Sequence, residues 1–284
     1  MKNVIKKQKA LYVSDIHNDK LFLNEMFETI MKKKIENVII GGDIVCSLSI
    51  AEKVHSELDG RGFERDKYIE RFKMYHNKEL ERLLIDIGLF KLDCRSRGFD
   101  PTFYLLPGND DWFDLELLDD AEGEGIIKNL HLKFHGIFKR LIVGCAFIPH
   151  TPFSTNYEIN DEELYNYLEH IGKVGDEETI YVIHAPPKNT NLDLSVGRRK
   201  HLGSASVRKF ISEFQPCLTL HGHIHESYGL TKVWKEKIGK TISINLGRDD
   251  GIFRGVIFTE DLKFTLIEKK LKEICDKDFE NTIL

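Results

Sequence analysis

Seven side chains of this sequence are best placed to do chemistry: Asp15, His17, Asp43, Asn109, His184, His223 and His225. Each sits just beyond a short apolar run: Leu11-Tyr12-Val13, Val38-Ile39-Ile40, Phe103-Tyr104-Leu105-Leu106, Ile180-Tyr181-Val182-Ile183 or Leu218-Thr219-Leu220. Carboxylate, amide and imidazole donors suit hard or borderline divalent cations, whereas thiolates select softer ones. Asp15 and His17 are two residues apart, as are His223 and His225, so on extended backbone each pair faces one way. Asp43 carries two oxygens that can bridge two ions, and Asn109 adds a neutral carbonyl that moderates the negative charge. Such a set suits two cations sharing a water, which lowers the water pKa toward ~7 and clamps both oxygens of a phosphoryl displacement.

The elements needed to position these residues are legible from hydrophobic pattern. Short runs rich in Val, Ile and Tyr, bounded by Gly, Pro or Asp, read as buried strands. Ligands bind beyond the carboxyl ends of strands in sheets with parallel strands, so five such ends predict one site built from distant segments. Between the strands, Leu21, Phe22, Met26, Phe27 and Ile30 recur at helical spacing. The charged stretch from Ala51 to Arg97 predicts one long amphipathic helix, preceded by a mobile loop around Asp59 to Gly62. Its charges read as a solvated face. Asp111 to Asp120 predicts a short acidic helix. Leu132 to Phe134 and Leu141 to Val143 predict strands about a turn at His135-Gly136. Asp161 to Ile171 predicts a helix, and Ser204 caps another that Pro216 terminates. A strand-rich segment runs from Leu230 to about Lys269. With no repeat and no Pro/Gly/Ser linker, a single α/β domain over 1–284 is expected.

Composition bounds the class of function. At 284 residues, 41% hydrophobic and 31% charged, the chain is a globular one with a sizeable core. Its net charge of −5 gives no general attraction for nucleic acid, which is not an expected partner. No apolar stretch matches a secretory signal or a membrane span, so no membrane association is expected. Five scattered cysteines without a C-x-x-C pair predict reduced thiols and a cytoplasmic location. Cys46, three residues after Asp43, is expected to be structural rather than a ligand.

Each motif alone is weak, because D-x-H arises readily by chance; their joint order discriminates. In that order the chain resembles the calcineurin-like metallophosphoesterase family, whose pattern is D-x-H, G-D, G-N-H-D/E, a His after a strand, and G-H-x-H. Here the matching residues are Asp15/His17, Gly42-Asp43, Gly108-Asn109, His184 and Gly222-His223-Ile224-His225, spanning roughly residues 10 to 250. His184-Ala185-Pro186-Pro187, His201-Leu202-Gly203-Ser204 and the Glu226 that follows His225 are similar to the Icc-related subgroup. The resemblance implies a sandwich of two mixed β-sheets flanked by helices. It also implies one ion on Asp15, His17 and His225, another on Asn109, His184 and His223, and Asp43 bridging them. Two divalent ions are expected; manganese heads the candidates, with iron, zinc, cobalt and nickel admissible.

The chain departs from that pattern twice. Asp110 stands where many members carry the His taken to protonate the leaving group or contact the phosphate, so Asp110 becomes the catalytic candidate beside Asn109. It can serve as an acid only with a raised pKa; the bland reading is a cap for the helix starting near Asp111. The usual acidic residue shortly after G-D is replaced by Val45, Cys46 and Ser47. His221 and Arg248 are candidates for substrate contact, and Trp112 and Phe113 either stack on a base or anchor a helix. Arg198, Arg199 and Lys200 form a basic loop that could steer an anion, or simply a solvated one. His131, His135 and His150 are expected to be structural or exposed. The favoured function is metal-dependent hydrolysis of a small phosphoester, a phosphodiester or nucleotide above a phosphoprotein. The alternatives are a metal-binding interaction scaffold on the same fold and a nuclease working with a partner. An amidohydrolase also uses H-x-H, but on an early strand, whereas here it comes last.

Overall fold

A computed structural model describes residues 7–58, 65–196 and 200–271. In chain order the elements are β1 (Lys9–Val13), α1 (Lys20–Lys33), β2 (Asn37–Gly41), α2 (Leu48–Leu58), α3 (Arg65–Ser96) and β3 (Thr102–Leu106). There follow α4 (Leu115–Gly123), β4 (Lys128–Asn129), β5 (His135–Ile137), β6 (Arg140–Cys145), β7 (Ile148–Pro149), β8 (Glu158–Ile159), α5 (Asp161–Val174) and β9 (Ile180–Ile183). The remainder comprises β10 (Leu194–Ser195), β11 (Lys200–His201), α6 (Ala205–Phe214), β12 (Leu218–His221) and α7 (Ser227–Thr231). It ends with β13 (Lys235–Ile238), β14 (Thr241–Asn245), β15 (Ile252–Thr259) and β16 (Phe264–Lys270).

Two six-stranded sheets form the centre, in the orders β16-β15-β1-β2-β3-β4 and β13-β14-β12-β9-β6-β5. Both are mixed: β1, β2 and β3 run parallel while β15 opposes β1, and β6, β9, β12 and β14 run parallel while β5 and β13 oppose their neighbours. The two-residue period of a strand sends alternate side chains to opposite faces. Tyr12 and Ile39 therefore pack between the sheets with Val182 and Leu220, while Leu11, Val13 and Val38 meet Met26, Ile30, Leu83 and Ile87 of the helices outside. A third core joins the other face of the second sheet to α5 and α6 through Val143, Tyr181, Leu168 and Phe210. The expected sandwich of two mixed sheets flanked by helices is the observed architecture.

Local differences from expectation have physical causes. The charged stretch forms two helices, α2 and α3, which pack through their own small core of Ile50, Val54 and Leu58 against Tyr68, Phe72 and Tyr75. The loop expected at Asp59 to Gly62 lies outside the described residues, as do Arg198 and Arg199. The turn expected at His135-Gly136 falls instead at Phe138-Lys139. There Phe138 adopts a left-handed φ of 55° with its ring edge-on to Phe258. The short helix begins at Leu115 rather than Asp111, with Asp114 at its N-cap, because Asp111 faces inward. Ser204 does cap α6, accepting the Val207 N–H. No helix among the described residues is long and apolar enough to cross a membrane.

Candidate metal centre

All seven sequence-selected side chains converge at the carboxyl ends of β1, β2, β3, β9 and β12. His17 Nε2 lies 3.2 Å from His225 Nε2, and His225 Nε2 lies 3.3 Å from Asp15 Oδ1. On the other side, Asn109 Oδ1 lies 3.1 Å from His184 Nε2 and 2.7 Å from His223 Nδ1. Asp43 Oδ2 sits between them, 3.9 Å from His17 Nε2 and 3.3 Å from His184 Nε2. Asp15, Asp43, Asn109 and His184 are buried, whereas the His225 side chain is 36% exposed and opens the cluster to solvent.

The backbone that carries these groups is not extended, contrary to expectation. Asp15, His17, Asp43 and His223 all have left-handed φ, from 48° to 68°. Such conformations cost roughly 1–3 kcal/mol each and persist where surrounding contacts over-determine them. Those contacts are visible. Asp15 and His17 donate backbone N–H groups to the carbonyls of Gly42 and Asp43, and Asp43 Oδ1 accepts the Asp110 N–H at 2.8 Å. Gly108 and Gly222 are required by close approach: a Cβ on Gly108 would overlap Asp43, and one on Gly222 would overlap Ser14 and Asp15.

Ring orientation determines which nitrogen is free. His184 Nδ1 lies 2.9 Å from the Gly41 carbonyl and His17 Nδ1 lies 3.2 Å from the Cys46 carbonyl. A carbonyl only accepts, so both rings carry Nδ1–H and turn Nε2 into the cluster. Burial would raise Asp15 and Asp43, yet the facing imidazoles hold both well below the usual carboxylate range. Burial also opposes charge on His184, but Asp43 and Asp15 overcome it and hold that imidazole up to about 10. Burial keeps His17 low and pushes His223 down to about 4. The cluster is a place where positive charge is stabilised: His184 holds it as a proton, while the neutral His17 ring turns its Nε2 lone pair inward.

The donor set fits divalent cations. Two nitrogens bound to one ion at 2.0–2.1 Å stand about 3 Å apart, which matches the His17–His225 separation. Asp15, His17, Asp43 and His225 place one donor atom each within 4.8 Å of one another. His17, Cys46 and Asp110 do likewise, but burial pushes the Cys46 thiol up strongly, so it stays protonated.

Several supporting residues were not apparent in the sequence. The fully buried Asp111 carboxylate accepts the N–H groups of Ile44, Val45 and Gly108, joining the loop after β2 to the loop after β3. Asn109 Nδ2 donates to Thr155 Oγ1 at 3.1 Å, and Thr155 Oγ1 donates to Glu158 at 2.6 Å, which fixes Asn109 Oδ1 toward His184 and His223. Asn245 Nδ2 donates to the Gly222 and Leu192 carbonyls and supports the His223 loop. Tyr12 ties the two sheets at this end by donating to the His221 carbonyl at 2.7 Å. Only the D/E position of the family pattern, filled here by Asp111, carried a local signal.

Two substrate-contact candidates have other tasks. His221 is fully buried, with Nδ1 on the Ile183 and Ala185 carbonyls and Nε2 on Thr219, so it presents no atom to the cleft. Arg248 donates Nη1 to the carbonyls of Asp15 and Ile16 and Nη2 to Asp19, pinning the Asp15–His17 loop rather than facing outward. The Trp112 ring lies beside Phe72 and its backbone N–H donates to His76 Nδ1 at 2.9 Å, and Phe113 enters the core; both anchor the loop. Asp110 caps no helix, which overturns the bland reading; burial, then Asp43, push its carboxyl up to about 7. Of the other histidines, His131 and His135 bond to Ala146 N–H and the Asn129 carbonyl, and His150 is exposed.

The chain matches the calcineurin-like phosphoesterase family over residues 9–227. An uncharacterized protein of Methanocaldococcus jannaschii is 35% identical over 144 residues, 49% of this chain and 61% of that protein. The chain thus aligns with less than two thirds of that relative's length. One solved structure, 20% identical, has a TM-score of 0.71 over 94% of this chain and all of the other. A Thermus thermophilus protein gives 0.58 at 12% identity, over 94% of this chain and all of that one. A dimetal phosphatase from Danio rerio gives 0.56 at 10% identity, over 94% and 97% of the two chains. These structural likenesses concern the fold. By sequence, the chain belongs to the calcineurin-like phosphoesterase family.

Proposed function

We propose that this chain hydrolyses a small phosphodiester or nucleotide at a pair of divalent cations. Asp15, His17 and His225 would hold one, Asn109, His184 and His223 the other, with Asp43 shared. The observation that carries this is the His17–His225 approach: two imidazole nitrogens 3.2 Å apart with His17 turned inward by the Cys46 carbonyl. When bound, such cations acidify a shared water and neutralise charge on a phosphoryl group.

The chain's own residues do the rest. Asp111, Arg248 and Asn245 hold the three ligand-bearing loops in register. Glu158, through Thr155, keeps the Asn109 amide oxygen facing inward. His225, at the exposed edge, marks where substrate enters. Asp110 is the candidate proton donor to the leaving group, because it follows Asn109 and places a carboxyl oxygen within 4.8 Å of the His17 ring nitrogen. Oxygen and nitrogen donors with a protonated Cys46 favour manganese, iron, zinc, cobalt or nickel over softer ions. All seven ligand positions are filled, which favours an enzyme over a scaffold.

Metal analysis of the purified chain, paired with rates on a generic phosphomonoester and a generic phosphodiester, tests the proposal. Two ions per chain and faster diester hydrolysis are expected. A chain that binds metal but hydrolyses neither ester would be the scaffold.

A further inference from the structure

The loop from Thr151 to Tyr157, between β7 and β8, is built around a buried carboxylate. Glu158 accepts Thr151 N–H at 2.9 Å, Thr151 Oγ1 at 2.6 Å, Thr155 N–H at 2.7 Å and Thr155 Oγ1 at 2.6 Å. The same loop grips the metal centre: Asn109 Nδ2 donates to Thr155, Asn156 N–H donates to the Asn109 carbonyl at 2.9 Å, and Asn156 Nδ2 donates to the Asp111 carbonyl at 2.8 Å. Two residues before Thr155, at the outer bend of this braced loop, stands Phe153, 82% exposed. Its N–H is fixed on Thr151 Oγ1 at 3.1 Å.

Two other exposed apolar residues lie close to candidate ligands in sequence or through a hydrogen bond. Leu48 is 83% exposed and lies two residues past Cys46, whose carbonyl holds His17. Val196, 62% exposed, donates its N–H to Glu226, the neighbour of His225. Single exposed apolar residues are ordinary on a protein surface. Phe153 and Leu48 each stand two residues from a group that bonds a candidate ligand, and Val196 bonds the neighbour of one. Such residues offer apolar contact area rather than charge. Of the three, Phe153 alone is aromatic, and Glu158 braces its loop on both sides through Thr151 and Thr155, which lowers the ordering cost of presenting its face. An aromatic face is sequence-tolerant toward planar bases, because every base has a π-face.

We propose that Phe153 is the platform on which the planar base of a nucleotide-type phosphoester stacks while its phosphoryl group lies at the metal centre. This rests on the phosphoesterase reading above and goes beyond it by naming the substrate's organic part. Phe153, rather than Trp112, takes that role, since the Trp112 ring lies against Phe72 of α3.

The test compares two diesters with the same leaving group, methyl 4-nitrophenyl phosphate and the 4-nitrophenyl ester of thymidine 5′-phosphate, on the metal-loaded full chain. The wild type is expected to prefer the thymidine ester, chiefly through a lower KM. Phe153→Ala should collapse that preference roughly tenfold or more, and Phe153→Trp should retain it. A preference unchanged in Phe153→Ala, or absent from the wild type, would overturn the platform while leaving the phosphoesterase reading standing. A wild type that hydrolyses neither ester would overturn that reading and the platform with it.

Discussion

Thr155 Oγ1 accepts an Asn109 Nδ2 hydrogen at 3.1 Å and, with Asp110 Oδ1, which accepts the other at 3.1 Å, sets which end of the Asn109 amide faces His184 and His223. With the hydroxyl removed, only Asp110 still opposes rotation of the NH2 inward, where it cannot bind a cation. Thr155→Val keeps shape and removes the acceptor. It should weaken binding at the Asn109 side by roughly 10–100-fold, as loss of a partner to a metal ligand does. Equilibrium dialysis against manganese would measure it, and two unchanged affinities would refute the role.

Glu158 gives the same loop a pH dependence. Burial opposes its charge, but the Thr151 and Thr155 donors overcome this and hold its pKa at about 2, against 4.5 when unfolded. A depressed carboxylate stabilises the fold above 4.5 and loses that contribution as pH falls toward about 2. Wild type should therefore exceed Glu158→Gln in urea midpoint near neutrality, with the gap narrowing from about pH 5 downward. A gap constant over that window would contradict the assignment.

Arg248 joins the far end of the chain to the Asp15–His17 loop, where Asp15, His17 and Asn18 all take left-handed φ. Without the guanidinium, those conformations lose a charge-assisted restraint worth about 1.5–3 kcal/mol per hydrogen bond. Arg248→Ala should lower cation affinity on the Asp15 side more than on the Asn109 side. Arg248→Lys should rescue it only partly, because an ammonium cannot reproduce the fork. Equal weakening of both sides would place Arg248 in general stability instead.

Asp110 replaces the family's usual His and caps no helix. Nitrophenolate leaves with little protonation, an alkoxide needs much. Asp110→His should raise turnover most on poor leaving groups, by up to ~10²–10⁴-fold. The dependence of rate on leaving-group pKa would show it. Identical slopes for the two proteins would remove Asp110 from proton transfer.

The parts of this molecule legible in sequence were those governed by local pattern. Val38, Ile39 and Ile40 read as a buried strand because both faces are covered, and Ser204 read as a cap because its side chain serves Val207 three residues on. The seven candidate ligands were legible because each stands beyond such a strand. What failed was set by distant partners. Asp111 looked like a helix start until the loop after β2 supplied Ile44 and Val45 as donors. Arg248 and His221 looked available until Asp15, Ile16, Ile183 and Ala185 were seen to engage them. Thr155 and Glu158 had no signal, since a Thr and a Glu three residues apart are unremarkable without Asn109 beside them.

The shared role of Asp43 is the centre of the account, and anomalous diffraction from metal-loaded crystals tests it most directly. Two peaks about 3.5–4 Å apart, flanking the Asp43 carboxylate, are predicted. A single fully occupied peak, with His184 and His223 turned away from it, would contradict it.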